Sequence, residues 1–490
     1  MMMPTMTLSA ITPESNSRSS PGPYMVVAAT SFGVFLSALD SSIVNVSLYT
    51  IQESFGVSWL AIQWVVVAYL LVLTSAMPLM GKFGDRFGKK VVFQLGMLIF
   101  ISGSFLCALS VNLIMLVASR IFQSLGSAML TANGLAIVTY FTTPKNRGRA
   151  IGLNSIVLAA ALGSGPVIGG ILTELLGWQS IFLVNIPIGL VGFFVVQFIL
   201  PKTELVHETK FDTVGAVLFF GFLFMIIYYV SVASYIDLLF TLLLIVGAVI
   251  AFILFILRER GFESPVIAIG VLADKKISTS IFSALLAYMA MIPVAYLLPF
   301  YLQEALGFNP AMTGIFLTVQ PIMISFIGPI AGFASERVRA EIQTVAGLVC
   351  ELFGLVVLAL AIPNVIYMAI GVAIMGTGLS FFSVANGNFI MTSAPKKYMG
   401  VVSALTNLAR TTGFSIATAL VTTVFEFFFM IYNPWGFQSG PLFTDAYNQG
   451  VQASVWLFAF LVIIAVVISS LRGTNAAEDA RANHEEIIIE

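Results

Sequence analysis

The sequence predicts an all-α membrane protein, and three observations carry that prediction. Of 490 residues, 59% are hydrophobic and only 9% charged, with a mean hydropathy of +1.01. A soluble domain is nearer half apolar and about a quarter charged. The apolar residues gather into fourteen runs close to the roughly 20 residues a helix needs to cross a bilayer. Lys and Arg collect in alternate connections between those runs.

In chain order the predicted spans are 24–48, 59–80, 91–109, 113–141, 148–172, 181–200, 214–231, 238–257, 277–302, 311–333, 344–362, 366–391, 401–430 and 453–471. The stretch 214–257 holds one charge, Asp237, and is too long for a single crossing, so it reads as two. Residues 1–23 are polar, rich in Ser, Thr and Pro, and have no signal-peptide core. They read as a disordered cytoplasmic tail. Cys107 and Cys350 both fall inside spans, where small packed residues are expected rather than a disulfide framework or a metal site.

The basic residues test the count. With the N-terminus inside, 20 of the 22 Lys and Arg residues fall in cytoplasmic segments, and the other two, Arg120 and Arg410, lie within spans. Translocating positive charge is unfavourable, and a wrong helix count would scramble this segregation. The reading is therefore a multi-pass protein of the cell membrane with both termini in the cytoplasm. An internal repeat supports it. Pro144-Lys145-Asn146-Arg147-Gly148 before the fifth span resembles Pro395-Lys396-Lys397-Tyr398-Met399-Gly400 before the thirteenth, about 250 residues on. Spans one to six (24–200) then correspond to spans nine to fourteen (277–471). The segment 201–276 becomes an inserted pair with linkers, and 472–490 a second cytoplasmic tail.

One polar stretch stands out between the second and third spans: Gly81-Lys82-Phe83-Gly84-Asp85-Arg86-Phe87-Gly88-Lys89-Lys90. It reads as a loop of about two turns, with glycines permitting sharp turning and close approach. It resembles the signature loop of the major facilitator superfamily, Gly-x-x-x-Asp-Arg-x-Gly-basic-basic. Leu39-Asp40-Ser41-Ser42-Ile43-Val44-Asn45-Val46 is similar to the first-helix motif of that superfamily's fourteen-spanner drug:proton antiporters, the multidrug and quaternary-ammonium resistance type. Arg120-Ile121-Phe122-Gln123 resembles their fourth-helix motif, with Ser124 replacing a glycine. Gly163-Ser164-Gly165-Pro166-Val167-Ile168-Gly169-Gly170 resembles the antiporter motif of exporters, and the segment from Trp178 to Pro187 their entry to the sixth span.

The resemblance implies two six-helix halves around a central cavity, working by alternating access. It implies gating roles for Gly81, Asp85, Arg86, Gly88 and Lys89, with Asp85 and Arg86 pairing to the opposite half. Pro166, which removes a backbone donor, and Gly165, Gly169 and Gly170, which allow close contact, would form a sliding seal; ordinary close packing is the other reading.

Charges inside spans are costly and ask for a purpose. Asp40 and Arg120 lie about 12 Å and 10 Å below the outer ends of their spans at 1.5 Å per residue. They are expected to pair, either as a static buried ion pair or with Asp40 exchanging protons and Arg120 biasing it. Neither His207 nor His484 lies in a span, which leaves carboxylates as the intramembrane proton carriers. Glu351 is a candidate second proton site or a structural acid. Glu426 and Asp237, near outer ends, are expected to be solvated. Gln123, Tyr288, Tyr296, Phe381, Phe382, Asn386 and Arg410 are candidate substrate contacts, giving an aromatic cavity suited to a lipophilic compound of open charge.

The expected function is proton-driven export of lipophilic small molecules or drugs, with a metabolite importer or uniporter of the same fold as the alternative. The partners are protons, substrate and lipid, without nucleic acid; a monomer is expected. No cofactor is expected, since a proton gradient supplies the energy. No Gly-x-Ser-x-Gly, His-Glu-x-x-His or phosphate-binding Gly-x-x-x-x-Gly-Lys-Ser/Thr motif occurs to suggest an enzyme or ATP use.

Overall fold

The computed structural model describes residues 22–142, 144–201, 212–232, 237–262, 273–335, 337–393, 399–437 and 439–472. The chain forms α1 (Pro23–Phe55), α2 (Trp59–Phe87), α3 (Lys89–Ala108), α4 (Leu113–Phe141), α5 (Pro144–Leu176) and α6 (Ser180–Ile199). The middle pair is α7 (Thr213–Val232) and α8 (Leu238–Gly261). Then follow α9 (Lys275–Ala305), α10 (Pro310–Ala334), α11 (Ala340–Ala361), α12 (Val365–Ser393), α13 (Met399–Tyr432) and α14 (Pro441–Ser470). Among the described residues thirteen of these are long and apolar enough to cross a membrane, and α5 adds the apolar stretch Ala160–Leu176. The split of 214–257 into two helices is as expected from its length.

Local chemistry sets the ends. Asn112 accepts from Met115 N at 2.8 Å to open α4, and Asn309, followed by Pro310, accepts from Met312 N at 2.8 Å to open α10. Asp237 is exposed, as expected of a charge near a span's end. It is also the N-cap of α8, accepting from Phe240 N at 2.7 Å, so its charge satisfies a helix start. The polar stretch 81–90 is not a loop of two turns. Helix α2 runs on to Phe87 and α3 begins at Lys89, with the whole reversal made at Gly88, φ 93°. Helical continuation satisfies backbone groups that a longer loop would leave to water.

The repeat is visible in packing. At Gly96 of α3 an added Cβ would lie 3.1 Å from Gly126 O of α4; at Gly347 of α11 it would lie 2.8 Å from Gly378 O of α12. Gly103 and Gly354 repeat the same crossing one step further along, against Gln123 and Met375. Each second-half glycine of α11 stands about 250 residues after its first-half counterpart, as the sequence repeat requires. Small residues permit this close approach where lipid offers no hydrophobic drive between helices.

Helices α7 and α8 lie outside the two halves; α7 covers their seam on the side of α2 and α13, and α8 packs on α7 through Phe219–Phe255 and Phe222–Phe252. Trp64 of α2 meets Tyr228 at 5.7 Å between ring centroids, and Thr423 of α13 donates to Val230 O at 2.7 Å. The tails expected at 1–23 and 472–490 fall almost wholly outside the described residues. Arg472, the first residue of the second tail, is the exception. It is buried, donates to Asn386 Oδ1 at 3.1 Å and Thr344 Oγ1 at 2.5 Å, and stacks 4.1 Å over Phe389. It ties α14 to α11 and α12.

Candidate functional site

Asp40 and Arg120 meet inside the first six-helix half. Asp40 is fully buried; its Oδ2 accepts from Arg120 NH1 at 2.6 Å, and its Oδ1 from Gln123 Nε2 at 2.9 Å and Asn185 Nδ2 at 3.1 Å. Gln123 Nε2 also donates to Ser104 Oγ at 2.7 Å, while its Oε1 accepts from Arg120 NH1 at 2.6 Å. The guanidinium lies 3.9 Å over the Tyr69 ring, and its Nε donates to Val65 O at 3.3 Å. Five helices thus meet in one network, three of them at the carboxylate itself. A buried pair repays its desolvation only with such additional hydrogen bonds. Tyr69 extends the polar path, donating to Ser127 Oγ at 2.9 Å.

Of these residues, Ser104, Tyr69 and Asn185 were not among the sequence candidates. Asn185 carried a usable signal, a lone amide among apolar residues at the entry to the sixth span. Gln123 was expected to touch substrate, but it is fully buried and both its amide atoms are engaged around Asp40. It belongs to the charge network.

The other acid, Glu351 on α11, is also fully buried, yet neither carboxyl oxygen has a hydrogen-bond partner among the described residues. Its backbone packs on Gly378 as that of Phe100 packs on Gly126 in the first half. The equivalent position therefore accepts an apolar side chain, and packing alone does not require an acid there.

The remaining substrate candidates divide. Arg410 is half-buried, bonds Asn407 Oδ1 at 2.6 Å, and lies within electrostatic range of Tyr288, whose ring meets Phe414 edge-on at 6.1 Å. Phe381 is half-buried on α12. Three others are not available to a cavity in this conformation. Phe382 is fully buried beside Gly347 in the α11–α12 crossing, and Asn386 is bonded to Ser280 O at 3.1 Å and to Arg472. Tyr296 sits in a π-helical turn of α9, closed against Trp59 (5.8 Å) and Phe300 (5.7 Å).

The fifth-span motif occupies the seam between halves. Cβ atoms added at Gly165 and Gly169 would strike Ser42 and Ile43 of α1 at 2.8 and 2.7 Å. On the other side, one at Gly170 would lie 3.0 Å from Pro310 C, and one at Gly314 of α10 2.9 Å from Pro166 C. Near the same end, Asn309 Nδ2 and Ala311 N donate to Glu174 at 3.2 and 3.1 Å, and Gln303 Nε2 to Val46 O at 2.9 Å. Toward the other end the corresponding face of α10 is uncovered: Ser325 and Pro329 are exposed or half-exposed, and a Cβ on Gly332 would meet nothing within 4 Å. Helices α5 and α10 meet at the end where basic residues are absent, and this face of α10 is uncovered toward the end where they collect. Asp85, in this arrangement, pairs with Lys89 one turn on, and Arg86 lies 5.4 Å over Phe87. The expected pairing across the halves is not made among the described residues. A Cβ added at Gly81 would meet only Ala132, at 3.9 Å, whereas one at Gly84 would collide with Asn133 of α4, so Gly84 is the glycine of this stretch that close approach requires.

A helical bundle of two related halves, with a seam that closes at one end and ionisable groups buried at its centre, defines a multi-pass membrane transporter of small molecules. The chain belongs to the Major Facilitator Superfamily, whose description it matches over residues 30–418. It is 34% identical over 449 residues to the riboflavin transporter RibZ of Clostridioides difficile (strain 630), covering 91% of this chain and 96% of the relative. It is 29% identical over 462 residues to the methylenomycin A resistance protein of Bacillus subtilis (strain 168), covering 92% and 96%. It is 30% identical over 419 residues to the tetracenomycin C resistance and export protein of Streptomyces glaucescens, covering 84% and 77%. Among solved structures, a bacterial homologue of the human lysosomal transporter Spinster, inward-facing and unoccupied, has a TM-score of 0.67 at 16% identity, covering 92% of this chain and 96% of that one. A D-xylose–proton symporter has a TM-score of 0.65 at 11% identity, covering 92% and 99%. The family and these relatives are transporters, not enzymes.

Proposed function

We propose that this protein exports lipophilic small molecules from the cytoplasm in exchange for protons, by alternating access. The observation that carries the reading is the buried Asp40–Arg120 pair held by Gln123 and Asn185. Adding a proton to Asp40 removes its charge and weakens its hold on Arg120. Ser42 and Ile43, the next turn of α1, rest on Gly165 and Gly169 of α5, and α5 in turn bears on α10 through Gly170 and Gly314. A change at Asp40 is thus passed by direct contact to the seam that opens and closes. Resistance and export proteins among the relatives support the direction. The protein then works as a monomer in the cell membrane, both termini cytoplasmic, with the proton gradient in place of a cofactor.

A second reading, transport of a polar metabolite such as a flavin, is favoured by the similarity to a riboflavin transporter. Proteoliposomes with an imposed pH gradient separate the two. Export by exchange predicts that lipophilic dyes dissipate the gradient as they move against the proton. Movement of riboflavin, with dyes inert, would overturn the first reading in favour of the second.

Glu351 is a second carboxyl that can hold a proton, and its lack of partners gives it an unusual signature. Because an unsatisfied buried polar group costs about 1–3 kcal/mol, Glu351→Met is expected to raise thermal stability in detergent while lowering proton-coupled flux. A lower melting temperature would mean that the acid is structurally partnered.

A further inference from the structure

A line of hydroxyls leads away from the Asp40–Arg120 pair. The Tyr69 phenol, whose ring lies 3.9 Å from the guanidinium, donates to Ser127 Oγ at 2.9 Å. Ser127 Oγ is hydrogen-bonded in turn to Ser37 Oγ, and Ser37 Oγ to Thr131 Oγ1 at 3.4 Å; either hydroxyl can donate in each of these two contacts. The line crosses between α2, α4 and α1 and keeps one direction. Ser127 and Thr131 follow Arg120 on α4 by about 10 and 16 Å of helix, at 1.5 Å per residue, toward the end where basic residues collect. Tyr69, Ser127 and Ser37 are buried, whereas Thr131 is half-buried. Toward the other end the fully buried Phe182 ring, one turn before Asn185, stands 5.7 Å from the guanidinium. A serine or threonine in a membrane helix ordinarily returns its hydroxyl to its own backbone, as Thr30, Ser75 and Ser119 do. The hydrogen bonds of Ser37, Ser127 and Thr131 go to one another and to Tyr69 instead. The Cys107 thiol, also close to the pair, stands off this line and donates to Gln123 Oε1 at 3.8 Å.

We propose that Tyr69, Ser127, Ser37 and Thr131 form a proton relay that joins Asp40 to water at the basic end of the molecule. The inference rests on the reading of Asp40 as a proton carrier. Asp40 and Tyr69 flank one guanidinium, and Ser41, the next residue of α1, interacts with the Tyr69 hydroxyl. Neutral Asp40 gives its proton to the Tyr69 oxygen as Tyr69 passes its own to Ser127, Ser127 to Ser37, Ser37 to Thr131, and Thr131 to water. One O–H bond breaks and one forms at each hydroxyl, so all four end neutral. The carboxyl is left as a carboxylate beside Arg120, which favours the charged product, and water takes the proton. The longest link, from Ser37 to Thr131, is the one nearest water. A carboxyl closed to solvent thereby exchanges its proton without admitting water to the ion pair.

The test follows the Asp40 carboxyl by time-resolved infrared spectroscopy of the full chain in lipid nanodiscs, after a pH jump from a caged proton. The band lost in Asp40→Asn identifies it. Tyr69→Phe keeps the ring beside Arg120 and removes only the hydroxyl, while Ser127→Ala breaks the line at a distance from Asp40. Each is expected to slow proton exchange at Asp40 at least about tenfold, and Ser127→Ala should keep both the titration midpoint and the fold. Ser75→Ala, whose hydroxyl bonds Leu71 O, should match wild type. Relay variants as fast as Ser75→Ala would overturn the relay while leaving Asp40 a proton carrier. So would slow exchange accompanied in Ser127→Ala by a shifted midpoint or a lost fold, the mark of a packing role. A carboxyl band that does not change with pH would overturn the relay together with the reading beneath it.

Discussion

Arg120→Leu is expected to lower stability by about 3–5 kcal/mol, the cost of breaking a buried ion pair from one side. Asp40 would then keep only the amides of Gln123 and Asn185 as donors, in a place with no access to water. The stacked Tyr69 ring would lose its cation as well. The double variant Asp40→Asn/Arg120→Leu should recover most of the loss, because the uncompensated charge is gone. Thermal unfolding of the three proteins in one detergent reads both effects. A single variant as stable as wild type would mean that the pair is solvated in the membrane.

Gly170→Leu should have the largest effect on conformation. A Cβ alone at this position lies 3.0 Å from Pro310 C and 3.1 Å from Ala311 Cα, and a leucine has nowhere to go with the outer seam closed. Overpacking of this kind costs about 1–3 kcal/mol, which shifts a two-state population roughly 5–150-fold. The arrangement closed at this end should give way to one open there. Spin labels near Glu174 of α5 and Asn309 before α10 should report a longer distance, and transport should stop in a protein that remains folded. Gly221→Leu, on α7 where a Cβ meets nothing within 4 Å, is the control. An unchanged distance in Gly170→Leu would show that α5 and α10 do not form the seal.

The spans were legible because an uncharged apolar run of membrane length is stable in lipid and in little else. Asp40 and Arg120 were legible as a pair because two isolated charges at matching depth need one another. The substrate candidates were harder to place. A helix such as α12 is apolar all round, so no polar face fixes its rotation, and Phe382 and Asn386 could not be distinguished from cavity residues. Arg472 follows the last apolar run directly and was not singled out in the sequence, whereas Phe389, Asn386 and Thr344 draw it inward. Ser104 carried no signal, since a serine in a membrane helix more often bonds its own backbone, as Ser75 does to Leu71 O. In 81–90 the charges identified the family, but the constraint is borne by Gly84 against Asn133 and by the φ of Gly88.

The central claim is that Asp40 carries the exchanged proton. It is tested most directly with Asp40→Asn in proteoliposomes loaded with a pH-sensitive dye, proton flux being recorded as a transported dye substrate is added. The amide keeps the shape and can still accept from Arg120, so the protein should fold and bind substrate. Substrate-dependent proton movement is expected to vanish while substrate binding persists. Protons still moving in step with substrate in Asp40→Asn would contradict the account.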